Sequence, residues 1–180
     1  FFQAEDGIRH SSTSRGLGDV YKRQLGLNFK LINQFKNVPF TEGRGEILKS
    51  KYKGNKLELH DHSYNASPVS MRDTIDIFNK FKNKHLVYVI GDMNDLGNKS
   101  KKFHIDLIKY LILIKAKKVI FVGSKLYSLR KRYKRLQFEY YENIDSVISN
   151  AEKIFNRNSK VFLKGSNSIN LRKLSNHLIS

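Results

Sequence analysis

Residues 60 to 71 read HDHSYNASPVSM, two histidines around an aspartate followed by Ser, Tyr, Asn, Ser and a proline. The run admits three chemistries: a metal site, a turn that holds a nucleotide or phosphate, or an ordinary polar loop. Metal is the weakest of them on geometry. Neighbours on a strand alternate faces, so only His60 and His62 can point together, and two imidazoles without a nearby third ligand make a poor zinc site. The second half reads as a helix start, in which Ser67 caps, Pro68 suits the first helical position and Met71 opens an apolar stripe. HDHSYN is then a strand-to-helix turn. The chain has no Cys, so thiolate metal sites, cysteine nucleophiles and disulfides are excluded and a reducing cytoplasm is compatible.

Whatever the turn does, an α/β scaffold must hold it in place. From Lys56 onward β-rich runs (56–60, 85–91, 118–123, 137–141 and 160–165) alternate with apolar spacings of three and four. The helical sets are Met71, Ile75, Phe78 and Phe81; Ile108, Leu111 and Ile112; Ile144, Val147, Ile148, Ala151 and Ile154; and Leu171, Leu174 and Leu178. The runs at 86–90, 119–122 and 161–163 are almost wholly apolar, as strands covered on both faces require. Alternation of this kind predicts right-handed crossovers, a mainly parallel sheet and flanking helices. In such sheets ligands bind at the carboxyl ends of the strands, which points to the turns GDM at 91–93, GS at 123–124 and KGS at 164–166.

The first 55 residues read differently. Residues 1–24, FFQAEDGIRHSSTSRGLGDVYKRQ, resemble the in-frame translation of a sequencing-library adapter, with QAEDGIR and RGLGDVYKRQ as the two flanks, and are expected to be disordered. Residues 25–55 read as a short helical piece (Leu27, Leu31, Phe35) and the Gly-rich TEGRGE at 41–46, the tail of a preceding domain and a linker. The chain starts at Phe and is expected to be part of a longer reading frame. No apolar run is long enough to span a membrane.

A formal charge of +18 suggests a nucleic-acid partner, but 24 lysines against 10 arginines match AT-rich coding, and the basic run RKRYKR at 130–135 offers one aromatic for base stacking. Solvated faces are the preferred reading. A free-standing basic α/β module is kept as an alternative.

DHSYNASPVSM resembles the Asp-Asp-Ser-Tyr-Asn-Ala-Asn-Pro-x-Ser-Met signature at the head of the C-terminal domain of the Mur ligases that add D-alanyl-D-alanine to a UDP-N-acetylmuramoyl tripeptide. GRGE at 43–46 is similar to the end of the family's central domain, GDMNDLGNKSKKFH at 91–104 to its Gly-Asp-Met-x-Glu-Leu-Gly segment with a downstream Ser and His, and LKGSNS at 163–168 to its Lys-Gly-Ser-Arg-Ser. The resemblance implies a Rossmann-like C-terminal domain over 56–180, with 25–55 left from the central ATPase domain. It also implies the chemistry of the whole enzyme: ATP with Mg²⁺ activates the tripeptide carboxylate as an acyl phosphate, which the amine of D-Ala-D-Ala attacks.

By the same resemblance the ribose and phosphate contacts fall to Arg44, Asp61, His62 and Asn65, with Tyr64 and Ser67 shaping the turn and Lys164 and Ser166 facing the dipeptide carboxylate. Linker salt bridging by Arg44 and an exposed strand end at Lys164 are the bland alternatives. His62 stands where the family has its second acidic residue, Ser67 where it has the second Asn, and Asn167 where it has Arg. No G-x-x-x-x-G-K-[ST] loop occurs, so no catalytic residue or metal ligand is assigned, and the piece is expected to act as a monomeric lid that retains neither ATP nor Mg²⁺ alone. Folylpolyglutamate and cyanophycin synthetases share the architecture without the Ser-Tyr-Asn-Ala turn and are the alternatives within the fold.

Overall fold

The strand runs alternate with helices in the order the sequence implies. In the computed structural model, which describes residues 42–81 and 85–180, these are β1 (Glu46–Tyr52), β2 (Asn55–His62), α1 (Pro68–Asn79), β3 (Leu86–Gly91), α2 (Ser100–Leu113) and β4 (Val119–Val122). Then follow α3 (Ser124–Ser128), β5 (Phe138–Tyr141), α4 (Ile144–Ser149), α5 (Ala151–Ile154), β6 (Ser159–Lys164) and α6 (Arg172–Ile179). Among the described residues the six strands form one sheet in the order β1-β2-β6-β3-β4-β5. All neighbouring pairs are parallel except β1 with β2. The sheet is α/β and mainly parallel, as expected. Residues 1–24, read as an adapter, and 25–41 lie outside the described residues.

The sheet takes in residues before the boundary expected at residue 56. Glu46–Tyr52, read as linker, is an edge strand paired antiparallel with β2 from Glu46 opposite Asp61 to Tyr52 opposite Asn55. Its side chains alternate between half-covered and exposed, with Leu48 and Tyr52 packed on the core. Such an alternating, lysine-bearing strand has one solvated face and lacks the continuous apolar run that marks the central strands.

Strand alternation divides the core in two. Tyr88, Ile90, Phe121 and Phe162 meet Met71, Ile75 and Phe78 of α1 and Leu107, Ile108 and Leu111 of α2 on one face. Val87, Val89, Ile120, Val161 and Leu163 meet Val147, Ile154, Leu174 and Leu178 on the other. The apolar set from 144 to 154 is not one helix: the Asn150 side chain donates to the Ser146 carbonyl at 2.9 Å, ending α4, and α5 begins at the next residue. Ser67 caps α1, accepting from the Ser70 amide at 3.2 Å while its own amide donates to the Ser70 hydroxyl at 3.1 Å, and Pro68 takes the first helical position.

β6 enters the sheet last and lies between β2 and β3, so the loop after it runs to the face opposite those after its two neighbours. Ligands of open α/β sheets bind at the carboxyl edge beside such a divergence. Gly91 and Gly165 let the ends of β3 and β6 approach there: a Cβ on Gly165 would sit 2.8 Å from the Gly91 Cα and 3.0 Å from the Leu171 side chain. Gly165→Ala is therefore expected to destabilise the domain by about 1–3 kcal/mol, since backbone has to shift. Urea unfolding of the chain checks this, and an unchanged midpoint would show that the strand ends part freely.

Candidate functional site

At the end of β2 two consecutive residues go to opposite faces. Asp61 is fully buried: one carboxylate oxygen accepts from the Ser63 amide at 2.9 Å, the other from the Ser175 hydroxyl at 2.6 Å and the Arg172 guanidinium at 3.0 Å. Burial opposes its charge, but these donors outweigh it and hold its pKa below the ordinary Asp range. Arg172 also binds Glu46 at 2.5 Å and Glu42 at 3.6 Å, tying α6 to the chain that enters β1. Both oxygens of Asp61, expected at a ribose, are engaged inside the fold.

His62 turns the other way and packs on the Phe162 ring, with centroids 5.6 Å apart. Burial, with a contribution from the Lys164 charge, lowers its pKa to about 4, so the imidazole is neutral near pH 7. His60 shares that face, packed on Phe78 and Phe81 and bonded to Glu58 at 2.8 Å. No group of three or more His, Cys, Asp or Glu able to hold a metal occurs among the described residues.

The segment before β1 folds back over the turn. The Gly45 amide donates to the Asp61 carbonyl at 2.7 Å and the Tyr64 amide to the Gly43 carbonyl at 3.0 Å, extending the ladder by two bonds. Both glycines have positive φ, +72° and +94°, and a Cβ on Gly43 would lie 2.8 Å from the Ser63 hydroxyl. Between them Arg44 is exposed and stacks on the exposed Tyr64 ring at 3.8 Å, with no ion pair among the described residues. Asn65 is exposed; its side-chain oxygen accepts from the Ala66 amide at 2.7 Å and its carbonyl accepts from Lys164 at 2.9 Å. Ser67 is confined to capping α1.

Lys164 is buried, not an exposed strand end, and burial lowers its pKa. Ser166, buried two residues on, accepts from the Asn94 amide at 2.8 Å and donates its own amide to the Asp92 carbonyl at 2.9 Å. The carboxyl edge thus gathers Arg44, His62, Tyr64, Asn65, Lys164 and Ser166 and sends Asp61 away.

Several polar residues of this edge carried no assigned role. Asp92 accepts the Lys125 and Leu126 amides at 2.9 Å each and so caps α3, while the buried His104 donates to the Ser100 carbonyl and accepts the Met93 amide at 3.0 Å. Asn94 bonds Ser168 at 2.6 Å and accepts from Lys125 at 2.7 Å. Asp92 and the GS turn before Lys125 stood in the turns singled out at the strand ends, and His104 in the 91–104 segment that carries the family resemblance. Arg172, 111 positions from Asp61, had no local signal.

Residues 43–167 match the domain described as "Mur ligase, glutamate ligase domain". The chain belongs to the Mur ligase family. It is 26% identical over 159 residues to the UDP-N-acetylmuramoyl-tripeptide–D-alanyl-D-alanine ligase of Rickettsia prowazekii (strain Madrid E), covering 87% of this chain and 33% of that protein. Among solved structures it resembles a crystal structure of MurF from Acinetobacter baumannii, at TM-score 0.69 and 21% identity over 88% of this chain and 35% of that one. A MurF ligase from Thermotoga maritima in complex with ADP gives TM-score 0.67 and 19% identity, again over 88% and 35%. The chain spans about a third of the length of these relatives. No helix among the described residues is long and apolar enough to cross a membrane.

The neutral His62 makes stability depend on pH. Between the ordinary value of 6.5 and about 4, the unfolded chain binds a proton that the folded chain excludes, so stability falls as pH falls through this window. The loss is about 3 kcal/mol at most. Urea midpoints at pH 7.5 and 4.5 should therefore drop further in the wild type than in His62→Gln, which retains the buried His104. Parallel drops would show that the fold tolerates a charged imidazole.

Proposed function

We propose that this chain is the C-terminal part of an ATP-dependent amide ligase that adds D-Ala-D-Ala to UDP-N-acetylmuramoyl tripeptide in the cytoplasm, acting as a monomer. The observation that carries the reading is the carboxyl edge itself, where the Ser-Tyr-Asn-Ala turn, the stacked Arg44 and the Lys164–Asn65 bond converge beside the end of β6. The named functions of the Rickettsia relative and the ADP-bound Thermotoga structure support it.

The residues present fit one wall of a nucleotide site. Tyr64 and the Arg44 guanidinium form an exposed stacked pair that suits a purine or phosphate, and the neutral His62 keeps one hydrogen bond for a hydroxyl. When bound, ATP supplies the phosphoryl group that activates the tripeptide carboxylate. The described residues do not fit Mg²⁺, because no cluster of acidic or imidazole ligands able to hold a metal occurs among them. Lys164 and Ser166 offer an ammonium and a hydroxyl for the carboxylate of the incoming dipeptide. Closed over the nucleotide, this wall excludes water, which an acyl phosphate requires to survive until the amine attacks. It leaves the phosphate-binding loop to the rest of the enzyme.

Two measurements check the reading. The 180-residue chain supplied with ATP, Mg²⁺, UDP-muramoyl tripeptide and D-Ala-D-Ala is expected to release no phosphate above background. The enzyme encoded by the uninterrupted gene should turn over D-Ala-D-Ala and not glutamate, and Arg44→Ala should raise its KM for ATP about tenfold, the worth of one charged contact. Glutamate turnover without D-Ala-D-Ala turnover would transfer the chain to another branch of the family. Unchanged Michaelis constants in Arg44→Ala and Lys164→Ala would remove the site assignment.

A further inference from the structure

All strands but β1 run the same way, so the turns before them meet at the amino edge of the sheet, away from the site. Hydrogen bonds set these turns side by side. The Lys118 carbonyl accepts from the Tyr88 amide at 3.0 Å, the Gln137 carbonyl from the Val119 amide at 2.9 Å and the His85 carbonyl from the Lys160 amide at 3.1 Å, while the Asn158 side-chain oxygen accepts from the Lys56 amide at 2.8 Å. Among the described residues these turns (53–54, 80–81, 85, 114–118, 134–137 and 155–158) hold eight lysines and arginines and no acid. The turns of the carboxyl edge (42–45, 63–67, 92–99, 123, 142–143 and 165–171) hold Arg44 and Lys99 against Glu42, Asp92, Asp95 and Glu142. A lysine excess set by coding composition alone would fall on both edges, and here it falls on one.

Three acids reach the amino edge from strands and a helix, and each is matched. Glu58 pairs with Lys160 and His60, Glu152 with Lys53 at 2.8 Å, and Glu139 with Lys118 at 4.0 Å. Lys80, Lys115, Lys117, Lys134, Arg135 and Arg157 are exposed and form no ion pair among the described residues. Helix C-termini favour cations, which accounts for Lys80 and Lys115 just after α1 and α2. Lys134 and Arg135 lie well beyond the end of α3 at Ser128 and have no such cause. A hollow of about 440 Å³, lined by His85, Lys117, Lys118 and Arg157 and by no acid, opens between the turns.

The exposed apolar side chains decide which polyanion fits. Leu136 is fully exposed beside Arg135, and Leu113 is 73% exposed at the end of α2. The exposed aromatic among the described residues is Tyr64, at the opposite edge, so no Phe or Tyr stands ready here to stack on bases. Cations beside exposed aliphatic groups suit an anionic lipid surface, where the charges meet headgroup phosphates and the leucines enter the acyl boundary. We infer that the amino edge is a docking surface for an anionic bilayer, held through Lys117, Lys134, Arg135 and Arg157 with Leu113 and Leu136 at the acyl boundary. The carboxyl edge, at the other end of the strands, stays clear of the lipid. The inference does not rest on the ligase reading.

The test follows sedimentation of the 180-residue chain with vesicles of phosphatidylglycerol and phosphatidylcholine in equal parts, or of phosphatidylcholine alone, at about 0.1 M NaCl. Binding is expected to the anionic vesicles and not to the neutral ones. Lys134→Gln with Arg135→Gln should weaken it about thirtyfold, and Leu136→Ser at least about fivefold. Lys99→Gln with Lys101→Gln removes the same charge beside the carboxyl edge and should stay within about threefold of the wild type. Circular dichroism of each variant shows that it is folded. No sedimentation with the anionic vesicles, equal losses in the two double variants, or wild-type affinity in Leu136→Ser would overturn the inference. A tighter hold on duplex DNA than on the anionic vesicles, with the same dependence on Lys134 and Arg135, would also overturn it and make nucleic acid the partner of this edge.

Discussion

A carboxylate with no access to water has to be neutralised where it stands, and Asp61 sets that condition at the end of β2. Removing the partner of a buried charge costs about 3–5 kcal/mol, so the Ser63 amide, the Ser175 hydroxyl and Arg172 are not free to move independently. The Ser63 amide belongs to the turn, and the other two belong to α6. Through Arg172 the same requirement reaches Glu42 and Glu46, which places Gly43 and Gly45 against the turn and Arg44 over Tyr64. One buried charge thus fixes the turn, the last helix and the entering strand in a common frame.

Asp92 plays the corresponding part at the end of β3. Its oxygens cap α3 and its carbonyl receives the Ser166 amide, while His104 holds the next residue, Met93, by its amide. Burial lowers the pKa of His104, and with one ring nitrogen donating and the other accepting, the neutral ring is fully used. Networks of this kind are rigid because each group left unpaired would be costly. The rigidity is what lets the exposed members of the edge, Arg44, Tyr64 and Asn65, face solvent from fixed positions.

The sheet was legible in the sequence because its central strands are continuous apolar runs and its helices carry clear spacings; Val119–Val122 and the Met71, Ile75, Phe78 set needed no tertiary information. β1 was hidden because its lysines alternate with half-buried residues behind a Gly-rich lead, a pattern shared with linkers. The break at Asn150 was hidden because the apolar spacing continues across it and only a side-chain bond interrupts the helix. At the site, alternation of faces was legible: His60 and His62 share one face and Asp61 takes the other. The same alternation sends Asp61 and His62, both expected at the ribose, to opposite faces. Pairings such as Arg172 with Asp61 join distant residues and leave no mark in either neighbourhood.

The position of β6 has a consequence for how the site assembles. Lys164 and Ser166 sit on or just after this strand, which is inserted between β2 and β3, and its contacts span the domain: Lys160 pairs with Glu58 and Lys164 bonds Asn65, 102 and 99 positions away. Closing loops of that length precedes any gain from the contacts, so the central strand is also the slowest kind of strand to place. Until it is placed, β2 and β3 have no shared neighbour, Asn65 lacks its lysine and Asn94 lacks both serines. The carboxyl edge therefore cannot exist in a partly folded chain. Topology couples the chemistry of the edge to completion of the whole sheet, and the ligand wall forms only when the fold is complete.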